Sequence, residues 1–164
     1  MKLNTRDIVT IGLLSTILLI GKYVFDFIPN VELVSLLLMM FAITYGLKSI
    51  YISIVFCMCN GLMYGFGSWL IVYFIVYGGL VGVSYLLRKP LRRSLIARVV
   101  FSAIFGLTFG LWFAIEWGIM YGVSSGVAYY LNGITFDLIH MVGNAVATLI
   151  LSVPILKVLD ARFN

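Results

Sequence analysis

Asp137, His140 and Asn144 form the most chemically suggestive group in the chain. Spacings of three and four put all three on one face of a helix. Their surroundings are strongly apolar, where ionisable groups are costly and usually face a protein interior or a wet cavity. A carboxylate, an imidazole and an amide so arranged could contact a polar ligand. They could equally tie one helix to another by hydrogen bonds. A lone histidine with one carboxylate is an incomplete metal site, so no metal is expected. General acid–base work would also need a nucleophile or a metal, and neither is identifiable. The expectation is a binding protein, not an enzyme, with no cofactor of its own.

A second polar group surrounds Pro29. Lys22 and Asp26 are spaced i, i+4, so they could pair with each other or reach a ligand. Asn30 and Glu32 follow the proline, and Glu32 suits the positive end of the next helix. It could equally face a substrate amine or hydroxyl. Glu116 stands between Trp112 and Trp117. Indoles near a membrane boundary are commonly anchors, but an acid beside aromatic rings also suits a flat or cationic organic ligand. The candidate substrate-binding set is therefore Lys22, Asp26, Asn30, Glu32, Glu116, Asp137, His140 and Asn144. The wider set of tyrosines, including Tyr73 and Tyr77, reads as membrane belt and packing.

The elements that position these residues must be membrane helices. Of 164 residues, 63% are hydrophobic and 10% charged, with a mean hydropathy of +1.13. A soluble domain of this size could not hide that much apolar surface. The apolar runs lack the alternation of a membrane barrel. Six spans are expected within one domain covering 1–164, at about 8–27, 32–47, 49–65, 68–87, 96–117 and 134–157. Asn4 and Asp7 offer capping side chains to the first span, which is read as retained because it lacks a small-residue cleavage site. The outer segment 118–133, rich in Gly, Ser and Tyr, is expected to be a mobile lid.

Charge sets the orientation. All of the 11 lysines and arginines except Lys22 fall at cytoplasmic ends if both termini lie inside. Asp26, Glu32, Glu116 and Asp137 then fall on the outer half. The net charge of +5 is accounted for by these flanking positions, so nucleic-acid binding is not expected. The basic run from Arg88 to Arg98 is expected to hold helix ends at the anionic inner surface. Cys57 and Cys59 lie in an apolar run and read as packing residues.

Small residues supply a further signal. Gly12 and Thr16 are four apart, with Ser15 between them, a spacing that lets helix backbones approach closely. Gly106 with Gly110, and Gly143 with Ala147, repeat that spacing and are expected to pack within the chain.

With its size, six spans and small-residue first helix, the chain resembles the substrate-binding S components of energy-coupling factor (ECF) transporters, the vitamin importers of bacteria. The more specific parts of the resemblance are Ile28-Pro29-Asn30-Val31-Glu32-Leu33-Val34 and Phe136-Asp137-Leu138-Ile139-His140-Met141-Val142-Gly143-Asn144. It covers essentially the whole chain. It implies an all-α S-component-like bundle in the bacterial cell membrane that captures a vitamin-like small molecule from outside. It also implies two kinds of partner, a membrane-embedded T component and two cytoplasmic ATPase subunits. The docking face would be Gly12, Ser15 and Thr16, where the family often has two alanines. The chain has no Walker motif, so a partner would supply ATP hydrolysis. Two other readings stay open, a structural membrane scaffold of the cell-shape type and a stand-alone small secondary transporter. The lack of an evident inverted repeat weakens the transporter reading.

Overall fold

The computed structural model of the chain describes residues 2–24 and 32–163. The described residues form helices α1 (Thr5–Tyr23), α2 (Val34–Thr44), α3 (Ser49–Tyr64), α4 (Trp69–Leu86), α5 (Arg88–Arg93), α6 (Leu95–Tyr121) and α7 (Val123–Phe163). A single 3₁₀ turn, Gly46–Lys48, leads into α3. Helix is the form expected where backbone groups cannot reach water.

Local chemistry explains several helix ends. Asn4 Oδ1 accepts from the Asp7 N–H at 2.8 Å, and an Asp7 carboxylate oxygen accepts from the Asn4 N–H at 3.0 Å. This reciprocal capping box starts α1. Ser94 Oγ accepts from the Ala97 N–H at 3.1 Å and starts α6. Gly122, at φ +93°, is the single residue between α6 and α7. A side chain would strain that backbone conformation, so glycine permits the two helices to fold back on each other.

Among the described residues, four stretches are long and apolar enough to cross a membrane, namely Gly46–Tyr64, α4, α6 and α7. Helices of that kind fit a membrane-embedded protein. Of the six expected spans, the first two stand apart. The α1 helix has 19 residues but carries Arg6, Asp7 and Lys22. The α2 helix has only 11 residues, about 17 Å of rise against a hydrocarbon core of about 30 Å. Every residue from Val34 to Ile43 is buried. The α2 helix packs against α1, α3, α4, α5, α6 and α7, so protein surrounds it. A helix that is apolar all round belongs in such a place. Lipid-facing positions on the other helices, such as Leu13, Ile71, Ile96 and Leu149, are exposed and apolar.

Segment 118–133 is helical apart from the Gly122 turn, not a loop, and it closes the α6–α7 hairpin. Its glycines serve the pairing: a Cβ on Gly126 would lie 2.7 Å from the Ala114 carbonyl oxygen. Helix α7 thus runs for 41 residues, about 60 Å.

Both described chain ends lie at one end of the bundle. Tyr45 donates its hydroxyl to Asp7 Oδ1 at 2.8 Å, and its ring lies 5.0 Å from that of Phe163. Lys48 Nζ is 2.7 Å from Asp7, and Arg92 is 2.7 Å from Asp160. Arg98 is not a surface anchor. It is buried, with Nε donating to Ser152 Oγ at 3.1 Å and a terminal nitrogen donating to the Leu91 carbonyl at 2.8 Å.

Candidate functional site

The buried residues of α7 between Asp137 and Ser152 are all polar: Asp137, His140, Asn144, Thr148 and Ser152. They form one stripe that faces α6. Toward the chain ends each residue of the stripe bonds across to α6. Ser102 Oγ donates to the Asn144 carbonyl at 3.3 Å, and Asn144 Nδ2 donates to the Ser102 carbonyl at 3.3 Å. Thr148 Oγ1 donates to Ser102 Oγ at 2.8 Å. Arg98 and Ser152 complete the series. Asn144 therefore works as a helix-to-helix tie, although its Oδ1 has no hydrogen-bond partner.

Toward the other end, the backbones come closer. A Cβ on Gly106 would lie 2.8 Å from the His140 carbonyl, and one on Gly110 would lie 2.6 Å from the Asp137 carboxylate. Gly110 uses that space to donate its N–H to Asp137 Oδ1 at 2.9 Å. Asp137 Oδ2 is buried and has no hydrogen-bond partner among the described residues. The same holds for both ring nitrogens of His140, although Nε2 lies 3.4 Å from Glu32 Oε1. That pair attracts when the imidazole is protonated, but it is too poorly aligned for a hydrogen bond. Ser35, in the first turn of α2, donates to the same Glu32 oxygen at 2.8 Å. Sequence reasoning did not single out Ser35. Its three-residue spacing from Glu32 was the available signal.

Aromatic rings wall this region. Trp69, Tyr73 and Tyr77 recur every four residues on α4, and Phe105, Phe109 and Phe113 do so on α6. The two stripes interlock, with Tyr73 5.9 Å from Phe113 and Tyr77 5.9 Å from Phe109. The Phe109 ring also lies 5.0 Å from the imidazole of His140, in an edge-on arrangement. The wall was missed as a site feature because such stripes are usually packing, although the i, i+4, i+8 pattern was visible.

A cleft of about 510 Å³ opens beside the wall, lined by Phe109, Phe113, Tyr129, Asn132, Phe136 and Asp137 among others. It lies in the size range of small-molecule sites and combines aromatic surface with a carboxylate. A larger groove of about 720 Å³ is bordered by Leu33, Gly143, Ala147 and other α7 residues. Its lining is aliphatic apart from Thr135, so it offers little to orient a polar ligand. Gly143 and Ala147 thus line this groove.

The remaining candidates separate. Lys22 lies in the last turn of α1 with Nζ 5.7 Å from the Tyr64 ring centroid, and its charge acts on Glu32. Asp26 and Asn30 lie outside the described residues. Glu116 is half-buried in the hairpin, and its Oε1 has no hydrogen-bond partner among the described residues. The two tryptophans beside it part ways: Trp117 stacks near Tyr129 at 5.4 Å, whereas Trp112 borders a separate groove with Phe101 and Ile104. On α1, Gly12 and Thr16 face outward, and Thr16 Oγ1 donates to the Gly12 carbonyl at 3.0 Å. Ser15 turns inward and its buried hydroxyl has no hydrogen-bond partner among the described residues. No family model matches the chain, and neither does any curated protein or solved structure.

Proposed function

We propose that the chain is the substrate-capture subunit of an ECF-type importer in a bacterial cell membrane. In this reading it crosses six times with both termini cytoplasmic. It binds a vitamin or related organic micronutrient from outside and passes it on with a T component driven by two ATPase subunits. One observation carries the reading. Asp137 and His140 keep unpartnered polar atoms deep beside an aromatic wall, far along α7 from the gathered chain ends. Buried polar groups normally find partners within the fold, and a ligand supplies them where the fold does not. Glu32, Lys22 and Glu116 would tune the charge around that ligand. The outward face at Gly12 and Thr16 would meet the T component, since small residues let helices pack closely in lipid.

Mass spectrometry of small molecules released from the purified protein tests this directly. A bound micronutrient is expected, and adding it at about 100 times its Kd should stabilise the fold by about 2.7 kcal/mol. If no member of a broad vitamin panel raises the melting temperature, the importer reading fails. A scaffold role would then be the better account of the same polar seam.

A further inference from the structure

The walls and charges of the cleft restrict the kind of molecule it would hold. This step rests on the importer reading and narrows its substrate.

Aromatic side chains supply much of the lining: Phe109 and Phe113 from α6, Tyr129 and Phe136 from α7. A cleft with aromatic lining from both helices favours a flat ring. Its polar end is Asp137, which is 5% exposed. The Gly110 N–H holds Oδ1, while Oδ2 is buried and has no hydrogen-bond partner among the described residues. Burying a carboxylate this deeply is costly unless a donor or a positive charge meets it. It therefore calls for a donor, and a positively charged one gains most. The charge nearby points the same way. Asp137 lines the cleft and Glu116 lies half-buried in the same hairpin. One helical turn from Asp137, His140 stands against Glu32. Lys22, the basic residue on this side, is placed over Tyr64 instead. A phosphate or carboxylate on the ligand would meet these acids without a cation in the cleft lining to offset them.

We infer that the cleft between α6 and α7 binds a flat, amine-bearing nitrogen heterocycle in unphosphorylated form, with its amino group on the Asp137 carboxylate and its ring between Phe113 and the aromatic residues of α7. Phosphorylation would then be left to an enzyme acting after uptake, if the cell uses the molecule as an ester.

The test uses the full chain in phosphatidylglycerol nanodiscs, which contain no amine lipid. Calorimetry would compare 4-amino-5-hydroxymethyl-2-methylpyrimidine and pyridoxamine with their phosphate esters and with pantothenate. At least one free amine should bind, and its ester should bind more weakly by on the order of tenfold or more. Asp137→Asn preserves the Gly110 contact, so the fold should persist while affinity falls on the order of tenfold to a hundredfold. Phe113→Leu, at a partly exposed position, should weaken binding without removing the polar contact. Binding of pantothenate or an ester as tight as that of the free amines would overturn the inference and leave the importer reading standing. So would unchanged affinity in both variants, or binding confined to vitamins outside this class. Failure of every vitamin, in this set and in a wider panel, would remove both.

Discussion

The two halves of the α6–α7 seam use similar residues and finish differently. Near the chain ends, Arg98, Ser102, Asn144, Thr148 and Ser152 bond to one another across the two helices, each through at least one polar atom, with Asn144 Oδ1 left over. Near Asp137 and His140 the helices are at least as close, yet polar atoms are left over. Polarity inside a membrane bundle therefore has two meanings. A group whose partners lie within the fold holds helices together. A group left unpartnered beside a cleft is available to something else.

The largest expected effect breaks the seam itself. Gly106→Val drives a side chain into the His140 backbone and should destabilise the protein by about 3–4 kcal/mol, read as a lowered thermal midpoint in nanodiscs. Next come two substitutions one turn apart. Asn144→Ala should cost about 1–2 kcal/mol, because it leaves the Ser102 carbonyl without its amide donor. His140→Gln removes a group that makes no hydrogen bond, so stability should change by less than about 1 kcal/mol while ligand affinity falls. Equal losses of stability from both would erase the distinction between the halves.

A pH experiment tests a third region, outside the seam. The hydrogen bond from Lys48, then those from the Asn4 backbone and Tyr45, hold the Asp7 carboxyl at about 2 rather than 3.8. Its folded value is depressed, so its contribution is present above the unfolded value and is lost as pH falls from about 3.8 through about 2. Acid unfolding of Asp7→Asn should therefore be flatter across that window, whereas Asp137→Asn should not remove this Asp7 component. The smallest stability effect is expected from Gly12→Leu. A Cβ there meets nothing within 4 Å, so the melting temperature should stay put, within about 0.5 kcal/mol. ATP-driven uptake by the assembled importer should nevertheless fall if this face docks on the T component.

Much of the helical framework was legible in hydropathy. The stretch expected at 49–65 is Ser49–Tyr64, and the one at 68–87 is Trp69–Leu86. The hairpin tip was not legible, because Gly, Ser and Tyr have weak helix propensity in isolation. Pairing between α6 and α7, with Gly118 against Gly126, overrides that weakness. Arg98 was likewise misread from its basic neighbours, since spacing along one helix does not reveal that Ser152 and the Leu91 carbonyl await it. The single-face placement of Asp137, His140 and Asn144 could be read from periodicity. Their different duties could not, because these depend on whether α6 presents Ser102 or a glycine opposite each one.

The short α2 helix has a consequence for how the protein is made. It emerges early from the ribosome, yet it is too short to span the hydrocarbon core alone and is fully enclosed when folded. Much of what encloses it comes from α4 and from α7, which lies more than 75 residues further along the chain. Insertion cannot be completed helix by helix in chain order. The earlier part of the chain must wait, incompletely packed, for α7, which makes a nascent or truncated form lacking α7 a natural target for membrane quality control.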